Sequence, residues 1–522
     1  MTISGVSQRT SYIGSGILDL RSQLDTLTQQ LASGKISNTY AGQGSGRSLA
    51  IALRAQITGI GAYSDTATNL NTRIGVTNLS LQQLVKIGSE VKGAAVSASS
   101  DLDDAGHTSG QKTALLDFTD SVDMLNAKSG DRYLFSGRAT DTAPVASADE
   151  IMNGRGAQVA GLKQVIAERK IADLGVNQNG RVGSAVGTPA TSVVLTEEDA
   201  TPAPPQQAQP FGIKLTGVST NITGATVTQP VDLPATVPPA LPATPVQKSM
   251  SVDLGATNPK PGDQVKFTFT MPDGTKEDIV MTASSTTPLA ANSFLIGADT
   301  TATAANLNTA LGTSVKNLAN GPMVAASAME AGENFFDQPP LRVGTTPLAS
   351  ATTLVAGTPD NTVIWYNGEQ NTAANGPARG SAVAQIDTSI TVQYGARADE
   401  PALRSQLQTV AVFAAVTTSA TDPYANAQVT ALNQRVANSL ATVPGTQTIE
   451  NIQADFAGAQ GSIKAATDRQ VQTKAMAQTM LDSIEGINDD EVATKILALQ
   501  TALQASYQTT SMLYQMSLVK FL

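Results

Sequence analysis

With one histidine and no cysteine, this chain has little from which to build a reactive centre. His107 stands alone in the loop-like run 101–110. Histidine-bound metals need several ligands and a triad needs a nucleophile beside its base, so an exposed loop residue is expected here. The lack of cysteine excludes disulfides, thiolate nucleophiles and thiolate-held metal. Gly42, Gly44 and Gly46 alternate like a phosphate loop. Arg47-Ser48 follows them where a Lys-Ser/Thr pair would be needed, and no strand pattern precedes them, so a flexible turn is expected. Asp489-Asp490-Glu491 could gather a cation, but acidic residues opening a helix also satisfy its free N–H groups and its dipole. Trp365-Tyr366 could stack on a sugar, with packing in a core the expected role. Glu197-Glu198-Asp199 reads as a solvated charge run. The sequence thus presents no nucleophile–base set, metal cluster or phosphate loop, and we assign no catalytic, cofactor-binding or metal-binding residue and expect no enzyme.

The spacing that does carry information is apolar. Ile13, Ile17, Leu20, Leu24, Leu27 and Leu31 alternate steps of four and three. Val492, Ile496, Leu499 and Leu503 do the same; that seam passes Ser506 and Thr510, resumes at Leu513 and continues near Leu518. Such spacing lays one stripe along a helix and suits a coiled-coil partner. Periodicity alone leaves two readings open: a core helix pair within one globule, or terminal surfaces that pack on each other and on further copies. The second is the central expectation.

The elements around these seams form a near-mirror. A long heptad runs from Leu49 to Ala95 and another from Ile452 to Ile487, with shorter helical stripes at 111–128, 403–414 and 425–439. Between them, Tyr133-Leu134-Phe135 is strand-like, and helical periodicity fades from residue 140 for most of the middle. There 265–271 and 278–281 alternate about Pro272-Asp273-Gly274, a hairpin signal, and 302–319 reads as a helix. Strands are expected at 362–367 and 389–394, and Pro-rich connectors at 201–210 and 230–245. The expected fold is mainly α, with long antiparallel coiled-coil rods from both termini and a mixed, mostly β, inserted outer domain. The expected divisions are 1–48 and 487–522 as assembly helices, 49–145 and 380–486 as rods, and 146–379 as the insertion.

Composition limits the partners. The chain has 33 basic and 43 acidic residues, a net charge of −10, which argues against nucleic acid or an acidic membrane as partner. Aromatic residues are only 4%, sparse for a large enzyme core. No apolar run reaches the length of a membrane span, so no membrane insertion is expected. Residues 1–16 lack a basic segment followed by an apolar one, so no cleaved signal peptide is expected.

Four segments resemble the bacterial flagellin family, which takes in flagellins and the flagellar hook–filament junction protein (hook-associated protein 3). They are Leu31-Ala-Ser-Gly-Lys35, Leu53-Arg-Ala-Gln-Ile57, Gly130-Asp-Arg-Tyr-Leu-Phe-Ser-Gly137 with Thr140-Asp-Thr142 and Pro144, and Ser517-Leu-Val-Lys-Phe-Leu522. The likeness covers 1–145 and 380–522, and the loop at 38–46 departs from it in lacking an Asp-Asp pair. It implies a structural subunit of the flagellum, extracellular and serving motility. Terminal helices would line the axis and rods surround them. Partners would be identical copies or neighbouring axial proteins, a chaperone, and the flagellar type III apparatus that would export the chain. Filament subunit and junction protein both stay open. The alternative is a surface adhesin or binding module presented by the β-rich insertion.

Overall fold

The computed structural model describes residues 4–97, 101–156, 158–198, 210–231, 248–344 and 346–519, with side-chain surroundings from Tyr12 to Gln515. The Pro-rich connectors, Asp199, Lys520, Phe521 and Leu522 lie wholly or largely outside the described residues, as does the side chain of Leu518. The helices in chain order are α1 (Ser4–Ser33), α2 (Arg47–Ser97), α3 (Ser109–Leu125), α4 (Ala148–Asn153), α5 (Leu162–Leu174), α6 (Thr300–Asn320), α7 (Pro322–Phe336), α8 (Pro401–Ala415), α9 (Ala425–Ser439), α10 (Ile449–Glu485) and α11 (Asp489–Val519). The strands are β1 (Lys128–Ser129), β2 (Arg132–Tyr133), β3 (Val182–Val186), β4 (Ser192–Glu197), β5 (Lys214–Thr220), β6 (Thr226–Thr228), β7 (Ser249–Asp253), β8 (Gln264–Thr270), β9 (Lys276–Ser284), β10 (Ser293–Leu295), β11 (Leu341–Val343), β12 (Leu354–Ala356), β13 (Val383–Asp387) and β14 (Ile390–Gln393). The fold is mixed α/β, and it divides into two compact units: 1–72, 384–392 and 458–522 form the first, and 73–383 with 393–457 the second.

In the first unit α1 packs against α11. Lys35 and Gly486 pair in an antiparallel bridge just after α1 and just before α11, so the two helices run in opposite directions away from that join. The apolar seams explain the pairing, because each helix alone would leave its stripe in water. Ala50, Leu53, Ala477 and Leu481 form a small core between α2 and α10. Farther along, Gln460 donates to Asn71 at 3.2 Å, so α10 runs back as α2 runs forward. The β13–β14 hairpin lies against α10, where buried Gln470 donates to the Ile386 carbonyl.

The second unit is built on two sheets. One has the order β3-β4-β7-β6 and is antiparallel; the other has β5-β8-β9-β10, with β10 parallel to β9. Val193, Leu195, Phe267, Phe269 and Met281 meet Leu307 and Leu311 of α6 in one buried core. The β8–β9 hairpin and α6 stand where the alternating and helical patterns place them. Gly274 takes a positive φ of 76°, and Asp273 accepts the Thr275 N–H, the chemistry a tight turn requires.

The middle of the chain corrects two expectations. Residues 362–367 form no strand: they make only single bridges, Thr362 with Ala160 and Tyr366 with Val145. And 146–379 is not mostly β, since α4, α5 and α7 stand there beside α6. Helix α7 is buried on nearly every side, packing on α5, α8 and α9. A helix apolar all round has no stripe to betray it, and its start at Pro322 is its one clear sequence signal.

Candidate functional site

Within the α1–α11 pair, Ile13, Ile17, Leu20, Leu24 and Leu27 are half-buried along one face of α1. Val492 and Leu503 are buried on α11, and Ile496, Leu499, Ser506 and Thr510 are half-buried in the same register. Leu31 and Leu513 stand apart: both are exposed, Leu513 by 43%. The outer faces carry further large apolar groups, among them Tyr12, Leu18, Leu497, Tyr507, Met512 and Tyr514. A pair of helices buries one stripe on each partner and leaves the remainder in water. These groups form an exposed apolar surface on two long helices.

The join at the base of this pair depends on Glu485, whose side chain is only 5% exposed. Its carboxylate accepts from the Arg54 guanidinium at 2.6 Å and from Gln43 at 2.9 Å, with the Lys35 ammonium at 3.8 Å. Its backbone carbonyl accepts the Ile36 N–H at 2.7 Å, and the Ile487 N–H returns to the Gly34 carbonyl. The Arg54 hydrogen bond, helped by Gln43 and Lys35, holds the Glu485 carboxyl below the ordinary glutamate range. At Gly46 the packing is close, since a Cβ would meet the Ile484 side chain at 2.8 Å and force it to shift. The segment Tyr40–Gly46, expected as a flexible turn, is a short 3₁₀ helix kinked at Gly44, where φ is 56°. Lys35 and Arg54 lie inside two segments that carry the family resemblance; Glu485 had no signal beyond its place at the end of a long heptad.

Asn488 caps α11: its side chain accepts the N–H groups of Asp490 and Glu491. The acidic trio therefore lies in the first turn, favourable to the helix dipole, and does not supply the cap itself. Glu491 pairs with Lys495. No group of three or more potential metal ligands occurs among the described residues.

In the second unit, the segment Gly130–Gly137 is a structural knot. Gly130 turns the β1–β2 hairpin with a φ of 63°. Buried Phe135 accepts the Ala398 N–H, Ser136 accepts the Glu369 N–H, and the Gly137 N–H donates to Ala396. Gly137 also has positive φ, and a Cβ there would stand 2.5 Å from the Glu369 carboxylate. Trp365 and Tyr366 are buried, Trp365 donating to the Phe336 carbonyl, so neither offers a face to a sugar. His107 is half-buried, and burial pushes its imidazole below the ordinary histidine value. It is not the exposed loop residue expected: Asp103 accepts the His107 backbone N–H and closes the loop tightly.

No known family model matches this chain, and no curated protein matches it in sequence at a significant level.

Proposed function

We propose that this protein is a structural, non-enzymatic subunit of a bacterial flagellum that polymerises through its terminal helices, as part of the filament or of the hook–filament junction. The observation that carries the reading is the α1–α11 pair, which buries one seam and leaves Leu18, Leu497, Met512 and Tyr514 exposed on the outside. Apolar surface of this extent on paired helices is completed by packing against more of the same. The resemblance of 1–145 and 380–522 to the flagellin family supplies the identity of the assembly, its extracellular location and its role in motility. In this reading α2 and α10 act as antiparallel coiled-coil rods, and the chain is exported through the flagellar type III apparatus with a chaperone. Its neighbours are copies of itself or other axial proteins.

The test is a chain cut before Asp489. It should keep the second unit folded, as followed by the near-ultraviolet signal of buried Trp365, and should form no polymer when seeded. Normal polymers from the truncated chain would overturn the proposal. Cells lacking the gene decide between the two positions: hooks without filaments mark a junction protein, and shortened or absent filaments on intact junctions mark a filament subunit.

A further inference from the structure

In the second unit a groove of about 340 Å³ lies between α2, the end of the β1–β2 hairpin and the segments 381–383 and 394–396. Arg73, Arg132 and Arg138 line it together with Leu134 and Val383. Arg138 is paired with Glu369. Arg73 and Arg132 have no ion-pair partner among the described residues. Arg132 is exposed, and so is Val383, by 57%. The groove is therefore basic and partly apolar, on a chain whose net charge is −10. Its complement is an acidic surface that carries an apolar side chain.

The same unit presents such a surface. Leu116, Asp120 and Asp123 follow one another along α3 at steps of four and three, so they share one face of the helix. All three are exposed, Leu116 by 68%, and Leu115 beside it by 42%. The opposite face of α3, with Phe118, Val122 and Leu125, is buried. Neither Asp120 nor Asp123 has an ion-pair partner among the described residues. The neighbouring lysines are taken, Lys86 by Glu90 and Lys112 by Asp103. Burial, with Glu90 and Asp120 close by, holds the Asp117 carboxyl above the ordinary aspartate range, as expected where negative charge is in surplus. Adjacent exposed leucines rimmed by charge have the make-up of a contact surface.

The two surfaces do not meet within one molecule. Asp117 lies near Glu90, which stands about 25 Å along α2 from Arg73 at 1.5 Å per residue. Helix α3 is held in place by Gln111, which donates to the carbonyls of Phe413 and Val416. We propose that the exposed face of α3 in one copy docks in the groove of the next, with Leu116 as the apolar anchor and Asp120 and Asp123 set against Arg73 and Arg132. The inference rests on the assembly reading and adds to it a second contact between copies, away from the terminal helices. A contact between two different patches is heterologous, so it repeats head to tail instead of closing on itself as a pair.

Charge exchange in the full-length chain tests it, with polymer measured by sedimentation. Arg132→Glu and Asp120→Arg are both at exposed positions and should leave the melting of the monomer unchanged. Each should raise the concentration needed for polymer growth at least about tenfold, because like charges then face each other. The double variant restores opposite charges across the contact and should return growth to within about threefold of wild type. The chain has no cysteine, which permits a second reading. A chain with both Arg132→Cys and Asp120→Cys should give a ladder of disulfide-linked multimers when its polymer is oxidised, and either change alone should give none. Wild-type growth of both single charge variants, no recovery in the double variant, or no ladder would overturn the inference and leave the terminal-helix reading standing. Failure of the wild-type chain to polymerise would overturn both.

Discussion

Arg54 and Glu485 form an ion pair at 2.6 Å between the beginning of α2 and the end of α10. The carboxylate is shut away from water while the guanidinium is 39% exposed. The pair fixes where the two long helices start and stop relative to the turn at 40–46. Its geometry gives the first prediction. Arg54→Ala should cost about 1–2 kcal/mol of the first unit's stability, the lower part of the range for charged hydrogen bonds because the arginine is partly solvated. Urea unfolding followed by helical circular dichroism would measure it.

The same pair sets an acid limit. Because the folded-state value of Glu485 lies below its ordinary 4.5, the native state holds fewer protons than the unfolded chain. Its contribution is therefore complete above about 4.5 and is lost as the pH falls below it. The stability difference between wild type and Glu485→Gln should be constant from neutral pH down to that point and shrink below it. A difference that grows on acidification would contradict the assigned pairing.

Leu503 and Leu513 separate folding from assembly. Leu503 is 8% exposed within the α1–α11 pair, so Leu503→Asp buries an unpaired carboxylate and should destabilise the pair by about 3 kcal/mol as well as prevent polymerisation. Leu513 is on the outside, so Leu513→Asp should leave monomer unfolding within about 0.5 kcal/mol of wild type and still block polymer growth. Sedimentation of seeded samples beside thermal melts of the monomer reads both outcomes.

Gln111 joins α3 to the end of α8. It completes a capping box with Thr108 and donates to the carbonyls of Phe413 and Val416, at 3.1 and 2.7 Å, from a buried position. Gln111→Leu leaves the Thr108 N–H and both carbonyls without this partner and should cost about 2–4 kcal/mol. Thr108→Ala removes only the cap and should cost about 1 kcal/mol. Denaturant unfolding of the two variants would rank them.

Asp399 shows the opposite pH response to Glu485. Burial raises its folded value to about 6 from 3.8, so the native state binds the proton more tightly. Its contribution is complete below about 3.8 and is lost as the pH rises through 6. Relative to Asp399→Asn, the wild-type second unit should gain stability as the pH is lowered from 7 to about 5. Unfolding followed by Trp365 fluorescence at the two pH values measures the difference.

Local order was legible where a repeat or a turn residue encoded it. The steps of four and three along Ile13–Leu27 and Val492–Leu503 mark faces of helices that the structure brings together, and Gly274 marks its hairpin. Other features rest on contacts between distant segments. The run at 362–367 has strand-forming residues, yet its neighbours in space, Ala160 and Val145, each offer a single bridge. Helix α7 lacks a polar face because other helices cover it, so its periodicity is silent.

From the sequence alone came the seams of α1 and α11, the scarcity of reactive side chains and the net negative charge, because these depend on residue type and on spacing of a few positions. The tertiary structure alone decided that Glu485 meets Arg54, that Trp365 is sealed inside, and that Asp399 and Gln338 line one cavity. Those relations join residues tens to hundreds of positions apart. Burial and Coulomb interaction act through space, and a one-dimensional pattern of residues does not record which distant groups share that space.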